Sequence, residues 1–299
     1  MHFTLKQLQV FLAVASHENV SRAAVELALS QSATSTALKE LEQRFGLVLF
    51  DRIGKRLQLN ESGRLFRPRA AALMAQAREL DSAMLQHSEV GEFRVGATLT
   101  IGNYLAIPIL ARFVQEHPGA RVQLDVANTA TVARKVQNFE LDIGLIEGEL
   151  QEPDLESSWW RDDELCLFCA PDHPWAGRGP LSDADLLAAE WIVRETGSGT
   201  RQAFDRAMTG LLPRLNVRLE LQHTEGIKRA VEAGLGLGCL STLTLKDAFA
   251  RGSLVPLTAP QRNWTRQFYF ILHREKYRSR GIRDWIAMCR QAEPAYTSL

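Results

Sequence analysis

The chain lacks any run of about 18 consecutive apolar residues, the length a membrane-crossing helix needs, so no span and no membrane partner are expected. It also lacks a charge surplus, since 35 Lys and Arg balance 35 Asp and Glu, which excludes a uniformly polycationic or polyanionic chain. Cysteine is scarce, four in 299 residues, too few for a disulfide scaffold. The N-terminus carries Lys6 and no long apolar stretch ahead of its first helical pattern, unlike a secretory leader, so a cytoplasmic chain is expected. None of the seven histidines has ligand-like spacing to another or to a cysteine pair, and neither a metal nor any other cofactor is expected. Ser198 sits in G-S-G without the full G-x-S-x-G elbow, and no Gly-Lys-Ser/Thr follows the glycines at phosphate-loop spacing. An enzyme with catalytic residues is therefore not expected. What is present is a 45% hydrophobic composition at a length that calls for two or three domains.

Residues 21–45, SRAAVELALSQSATSTALKELEQRF, read as two short helices around a tight turn. Ser21 is a candidate N-cap, and Ala23, Ala24 and Leu27 recur at helical spacing. Ala28 to Gln31 carries no periodicity and forms the turn, and Ser30 caps the second helix. Ala33, Ala37, Leu38, Leu41 and Phe45 make its inner face, leaving Gln31, Ser32, Thr34, Ser35, Thr36 and Lys39 on the other. Short donors and acceptors with one cation suit base edges and phosphates in a major groove; an ordinary solvated helix face is the alternative.

Leu5 to Ala15 is an amphipathic helix, with Leu5, Leu8, Phe11, Leu12 and Ala15 turned to a core. After Gly46 the segment LVLFDRIGKRLQLNESG reads as a β-wing turning at Gly54 between Leu47/Leu49 and Leu57/Leu59. Arg52, Lys55 and Arg56 cluster at that turn, within reach of phosphates. Asn60 caps a further helix in which Gly63 permits close packing. Residues 1–69 hold ten Lys/Arg against six Asp/Glu, and Arg52 to Arg69 holds six basic residues against one acidic, an uneven distribution suited to a nucleic-acid surface.

In the order LxxLxxFLAVA, SRAAVELALSQSATS, LKELEQRFGLVLFDR and NESG, these pieces resemble the LysR-type transcriptional regulators over roughly 65 residues. The resemblance implies a winged helix-turn-helix that reads double-stranded DNA through the second helix of the motif, with Ser21 among the DNA-contacting residues. Two positions depart from the family pattern: Ser32 stands where Pro is usual, and Thr36 where Arg is usual. Ser32 still suits a first helical turn, whereas Thr36 removes a long cationic reach.

Residues 61 to about 88 read as one helix, with Pro68 bending its entry. Its stripe of Leu73, Met74, Ala77, Leu80, Met84 and Leu85 is too long for a small domain to cover. Pairing of two copies into a homodimer through this linker is expected, and the resemblance implies the same role and a homotetramer beyond it. After Glu89-Val90-Gly91, strand and helix patterns alternate: 93–99, a helix from about 102 to 116, a strand at RVQLDVAN, a helix at TATVARKVQNF and a strand at LDIGLIEG. A second unit of the same kind starts near Asp163, and RQFYFILHRE with RGIRDWIAMCRQ rejoins the first. The expected architecture is thus α/β: a winged helix-turn-helix at 1–60, a linker helix at 61–90, and an effector-binding domain at 91–299. Lobe 1 takes about 91–162 plus 268–299 and lobe 2 about 163–267, two α/β lobes resembling periplasmic binding proteins.

Ligands of open α/β sheets bind beyond the carboxyl ends of the strands. Four such ends carry hydroxyls and small residues: Thr98 and Thr100; Asn128 and Thr129; Gly197, Ser198, Gly199, Thr200 and Arg201; and His223 and Thr224. Each is also a candidate helix cap. Together, free backbone N–H groups and helix dipoles there favour an anion, so a small anionic effector, an inorganic oxyanion or small carboxylate, is expected between the lobes. The resemblance narrows this to small sulfur oxyanions or carboxylates. Arg201 either adds a fixed charge to the ligand, faces outward, or pairs with a carboxylate such as Glu195. Cys166 and Cys169 form C-x-x-C inside the apolar run LCLFCA, where strand positions three apart point to opposite faces. Core thiols are the leading reading. A redox-responsive regulator using Cys166, Cys169 or Cys239, and a metal site, are the alternatives.

Overall fold

A computed structural model describes residues 3–54, 56–84 and 90–292. Lys55 of the wing, Leu85 of the linker stripe, Glu89 and residues 293–299 of lobe 1 lie outside the described residues.

The N-terminal unit is three helices and a wing. Helix α1 (Leu5–His17) starts at a reciprocal cap in which Thr4 accepts from the Gln7 N–H and Gln7 accepts from the Thr4 N–H. Helix α2 (Val20–Glu26) is capped by Asn19, which accepts from the Arg22 N–H at 3.0 Å. Ser21, the expected cap, is instead an exposed residue inside the first turn. Helix α3 (Gln31–Phe45) begins at Ser30, whose hydroxyl accepts from the Ala33 N–H, and ends at Gly46 with φ +63°, the left-handed stop that favours glycine. Its buried stripe is Thr34, Leu38 and Leu41, and Ala33 and Phe45, expected on the inner face, are exposed. These side chains close a core around Phe11, which packs on Phe50 and Phe66 at ring separations of 5.5 and 5.0 Å. Strands β1 (Phe50–Ile53) and β2 (Arg56–Leu59) form the antiparallel wing.

Helix α4 (Glu61–Met84) runs unbroken through Pro68. A Cβ at Gly63 would stand 2.1 Å from the Leu49 carbonyl oxygen, so only glycine lets α4 lie this close to the wing. The apolar stripe divides. Ala70 and Met74 join the N-terminal core, whereas Leu73, Leu80 and Met84 are 38%, 65% and 77% exposed.

The remaining chain builds one continuous sheet in the order β4-β3-β5-β11-β6-β9-β7-β8. Lobe 1 contributes the parallel strands β3 (Glu92–Thr98), β4 (Arg121–Ala127) and β5 (Ile143–Glu147). Lobe 2 contributes the parallel strands β7 (Glu190–Arg194), β8 (Asn216–Leu221) and β9 (Leu237–Ser241). Between them run the antiparallel crossing strands β6 (Leu155–Cys169) and β11 (Thr265–His273). The first half of β6 was not expected, because LESSWWRD has its partner a hundred residues downstream. Short strand β10 (Val255–Leu257) pairs with β6.

The helices of lobe 1 are α5 (Leu99–Ile101), continued through a π-turn at Gly102–Ala106 into α6 (Ile107–Glu116), then α7 (Thr129–Gln137) and the C-terminal α12 (Arg280–Gln291). Those of lobe 2 are α8 (Asp183–Ala188), α9 (Gly199–Ala207), α10 (Thr224–Glu232) and α11 (Thr242–Ala250).

Gly63→Ala is expected to destabilise the N-terminal unit by about 1–3 kcal/mol through overpacking. Faster amide exchange in α1 and α3 would report it. The six tryptophans, all at position 159 or beyond, should report an unchanged α/β domain.

Candidate DNA-reading surface and effector site

On α3, Gln31, Ser32, Ser35, Thr36 and Lys39 are exposed on one surface. Thr34 is not among them. It is fully buried, and its hydroxyl donates to the Ser30 carbonyl at 3.0 Å, so it anchors the helix start and cannot meet a base. Lys6, which was not among the expected DNA-contacting residues, shares a cavity of about 440 Å³ with Ser32, Thr36 and Glu40. Gln7 donates to Glu40 at 3.1 Å and ties α1 to α3. On the wing, Arg52 is exposed, and Arg56 lies 3.8 Å from Glu18 while 74% exposed, too loose a pairing to hold it from a phosphate. Arg67 leaves the basic surface altogether. It is 8% exposed, donates to the Asn138 carbonyl and lies over the Phe139 ring in lobe 1, and burial lowers its pKa.

At the lobe boundary the expected strand ends converge. Thr98 ends β3 and Thr100 sits in the first turn of the next helix. Asn128 caps α7 by accepting from the Thr131 N–H, and Ser198 caps α9 by accepting from the Thr200 N–H, so for these two the cap role is realised. Across the boundary, Asn128 donates to Glu195 at 3.0 Å and the Ala130 N–H donates to the Gly197 carbonyl at 3.1 Å. Gly197 holds φ +89°, with the Ala130 methyl 3.1 Å from where its Cβ would be, and a Cβ on Gly199 would stand 2.0 Å from the Glu147 carbonyl oxygen. The start of α9 thus lies directly on the end of β5. Thr224 is buried at the start of α10, where His223 provides no side-chain cap.

The centre of this meeting point is an ionic cluster that the sequence did not reveal. Arg266 on β11 is fully buried. Its Nη1 donates to Glu147 at 2.6 Å and to the Thr200 hydroxyl at 2.8 Å, its Nε to Asp163 at 2.6 Å, and its Nη2 to the Thr100 hydroxyl at 3.3 Å. The Glu147 carboxylate also accepts from the Thr100 N–H at 2.9 Å and the Thr200 hydroxyl at 3.0 Å. Burial opposes its charge, but Arg266 and Thr100 outweigh burial and bring its pKa to about 2. Asp163 moves the other way, raised by burial more than the shared Arg266 lowers it, although Ser241 donates to it at 2.7 Å. Thr98 stands beside Glu147 and helps hold it charged, yet its buried hydroxyl meets no partner in hydrogen-bonding geometry among the described residues. At the rim, Tyr104 of the π-turn donates to Glu225 at 3.3 Å, and Lys228 of lobe 2 contacts both Tyr104 and Glu225.

Arg201 does not face this centre. Its guanidinium turns back along α9 to Asp205 and Glu220, at 2.9 and 2.8 Å, and to the Arg194 carbonyl, while Glu195 pairs with Arg194. A cavity of about 1110 Å³ lies elsewhere, between α1, α4 and lobe 1, and none of the candidate effector residues lines it. Cys169, Cys239 and Cys289 are buried and Cys166 is half-buried, and burial pushes Cys166 up to about 12 and Cys169 to about 11 and raises Cys239 and Cys289, which disfavours the reactive thiolate. Glu147 and Ser241 were findable, since each ends a strand by the rule that singled out Thr98 and Asn128. Arg266 and Asp163 carry no local signal.

Arg266→Met leaves two carboxylates buried without their cation and is expected to cost about 3–5 kcal/mol at neutral pH. In the wild type, the stability from Glu147 is present above its ordinary pKa of 4.5 and is lost as pH falls toward about 2. In the variant both carboxylates titrate above their ordinary values, so urea denaturation should show the deficit shrinking as pH falls toward 4.

Residues 5–64 match the family description "Bacterial regulatory helix-turn-helix protein, lysR family", and residues 86–294 match "LysR substrate binding domain". The HTH-type transcriptional regulator YeiE of Escherichia coli (strain K12) is 42% identical over 289 residues, 97% of this chain and 98% of that protein. A full-length variant of OxyR from Pseudomonas aeruginosa superposes with a TM-score of 0.72 at 21% identity, covering 97% of this chain and 95% of that one, a likeness of fold. The CcmR regulatory domain of Synechocystis PCC6803, solved in complex with 2-PG, is 30% identical with a TM-score of 0.62, covering 67% of this chain and 96% of that one. The chain belongs to the LysR family of DNA-binding transcriptional regulators, effector-controlled proteins rather than enzymes.

Proposed function

We propose that this regulator is switched by a small anionic effector, an oxyanion or small carboxylate, held between the two lobes. The observation that carries the reading is the convergence of Thr100, Asn128, Thr129, Ser198 and Thr200 on Glu147 and Glu195, beside the buried Thr98 hydroxyl, which meets no partner in hydrogen-bonding geometry among the described residues. The starts of α7 and α9 meet there, and helix starts favour negative charge. The 2-PG bound by the CcmR regulatory domain supports a small-molecule effector in the equivalent domain here. Melting of the full-length protein against sulfate, sulfite, thiosulfate, nitrate, phosphate and small carboxylates tests it. A ligand at about 100 times its Kd stabilises by roughly 2.7 kcal/mol, and Thr98→Val should remove the shift. Silence across the panel would overturn the reading.

Gln31, Ser35 and Thr36 read base edges in this proposal, Arg52 and Arg56 bind phosphates, and Lys39 does either. Two copies pair through Leu73, Leu80 and Met84, which recur on one face of α4 and are exposed. Gln31→Ala should lower discrimination between specific and random DNA by roughly 1–3 kcal/mol. Arg56→Ala should weaken both sites alike and flatten the salt slope by about 0.9 per lost phosphate contact. An unchanged ratio of specific to random binding in Gln31→Ala would place the reading surface elsewhere.

A further inference from the structure

The cations at the lobe boundary are already committed. Arg266 donates to Glu147 and Asp163, Arg194 grips Glu195 through two bonds of 2.8 and 2.9 Å, and Lys228 contacts Glu225 while donating to the Thr244 carbonyl. Arg201, the one charge the glycine loop offered, is turned away to Asp205 and Glu220. An anion entering here finds neutral donors, the Thr98 hydroxyl first among them, and no uncompensated positive charge among the described residues at the lobe boundary.

It also finds Glu147. This carboxylate is 1% exposed and sits at the start of α5 against the start of α9, the position a bound anion would take. An ionised carboxylate only accepts hydrogen bonds. Its Oε2 already receives two, from Arg266 and Thr200, whereas Oε1 receives one, from the Thr100 N–H. A fully deprotonated oxyanion beside it sets acceptor against acceptor at low dielectric. An anion that keeps an O–H donates it to the free side of Oε1 and accepts from Thr98, and like-charge repulsion becomes a charge-assisted hydrogen bond.

We infer that Glu147 makes the interlobe site selective for anions that carry their own O–H, such as hydrogen phosphate or a 2-hydroxycarboxylate, and rejects sulfate, nitrate and simple carboxylates. This rests on the interlobe anion reading and assigns the ligand class within it. Rejection follows from the general rule that a buried polar group left without its hydrogen bond costs far more than the bond contributes.

Calorimetric titration of the full-length protein at pH 7, with ionic strength held by chloride, decides the matter in two matched pairs. Phosphate and sulfate share a tetrahedral shape and differ in the O–H; glycolate and acetate differ in the 2-hydroxyl. Phosphate over sulfate, or glycolate over acetate, by roughly tenfold or more in affinity is expected. Glu147→Gln supplies an N–H donor in place of the acceptor and should narrow or invert that ratio, while Thr98→Val should weaken both members of a pair. If sulfate or acetate binds the wild type as tightly as its partner, and Thr98→Val abolishes that binding, the role of Glu147 falls and the interlobe site stands. If no probe binds either the wild type or Glu147→Gln, the interlobe anion reading falls and takes this inference with it. Should Glu147→Gln fail to fold, the two wild-type pairs decide alone.

Discussion

The Arg266 guanidinium fixes how the two lobes meet. Each lobe has hydrophobic clusters of its own, around Phe93, Phe113 and Trp285 in lobe 1 and around Trp191, Phe204 and Leu237 in lobe 2. What joins them at the cleft is polar: one buried cation on a crossing strand, gripped by Glu147 and Thr100 from lobe 1, Thr200 from lobe 2 and Asp163 from β6. A desolvated charge tolerates few geometries, because any that loses a partner leaves an uncompensated ion. The lobe angle is thereby constrained at the cleft by direction-dependent contacts, and polar chemistry at this point has leverage on it.

That leverage has a path toward the DNA-reading end of the molecule. Among the described residues, helix α4 is hydrogen-bonded to lobe 1 through two side chains: Arg67 donates to the Asn138 carbonyl, and Glu79 accepts from Tyr277 at 2.7 Å and from the Arg280 N–H at 3.2 Å. The same helix carries Ala70 and Met74 in the core of the winged unit. Lobe 1, whose strand β5 ends in Glu147, is thus bonded to the helix on which the reading head is built.

Much of this architecture was legible because it is written locally. Ser30, Gly46, Asn60 and Gly63 mark helix ends and a close approach by their own conformational preferences, and the strand ends at Thr98, Asn128 and Ser198 follow from alternating patterns. The misreadings share a cause, in that partners distant in sequence decide. Asn19 rather than Ser21 caps α2, and Thr34 lies on the stripe of α3 that packs into the N-terminal unit. The stripe Thr34, Leu38, Leu41 runs one position off the one the alanines suggested. The polar alternation of LESSWWRD hid the first half of β6, whose ladder to β11 exists only in the folded sheet. Arg201 and Arg266 look alike in sequence, each flanked by polar residues. One turns to its own helix and β8, and the other enters the centre, and only the crossing of two strands distinguishes them.

The order in which the sheet is threaded has a consequence for synthesis on the ribosome. The core of lobe 1 joins Phe93, Phe113 and Leu145 to Phe268, Phe270, Trp285 and Met288, so its first half waits for the last strand and helix of the chain. Lobe 2 draws its clusters from a single uninterrupted stretch between Leu165 and Ala259. The lobe translated first is therefore the last to close. Until α12 emerges, β3 and α6 present their apolar faces without cover, a window of chaperone dependence that the winged unit and lobe 2, each contiguous in sequence, do not share.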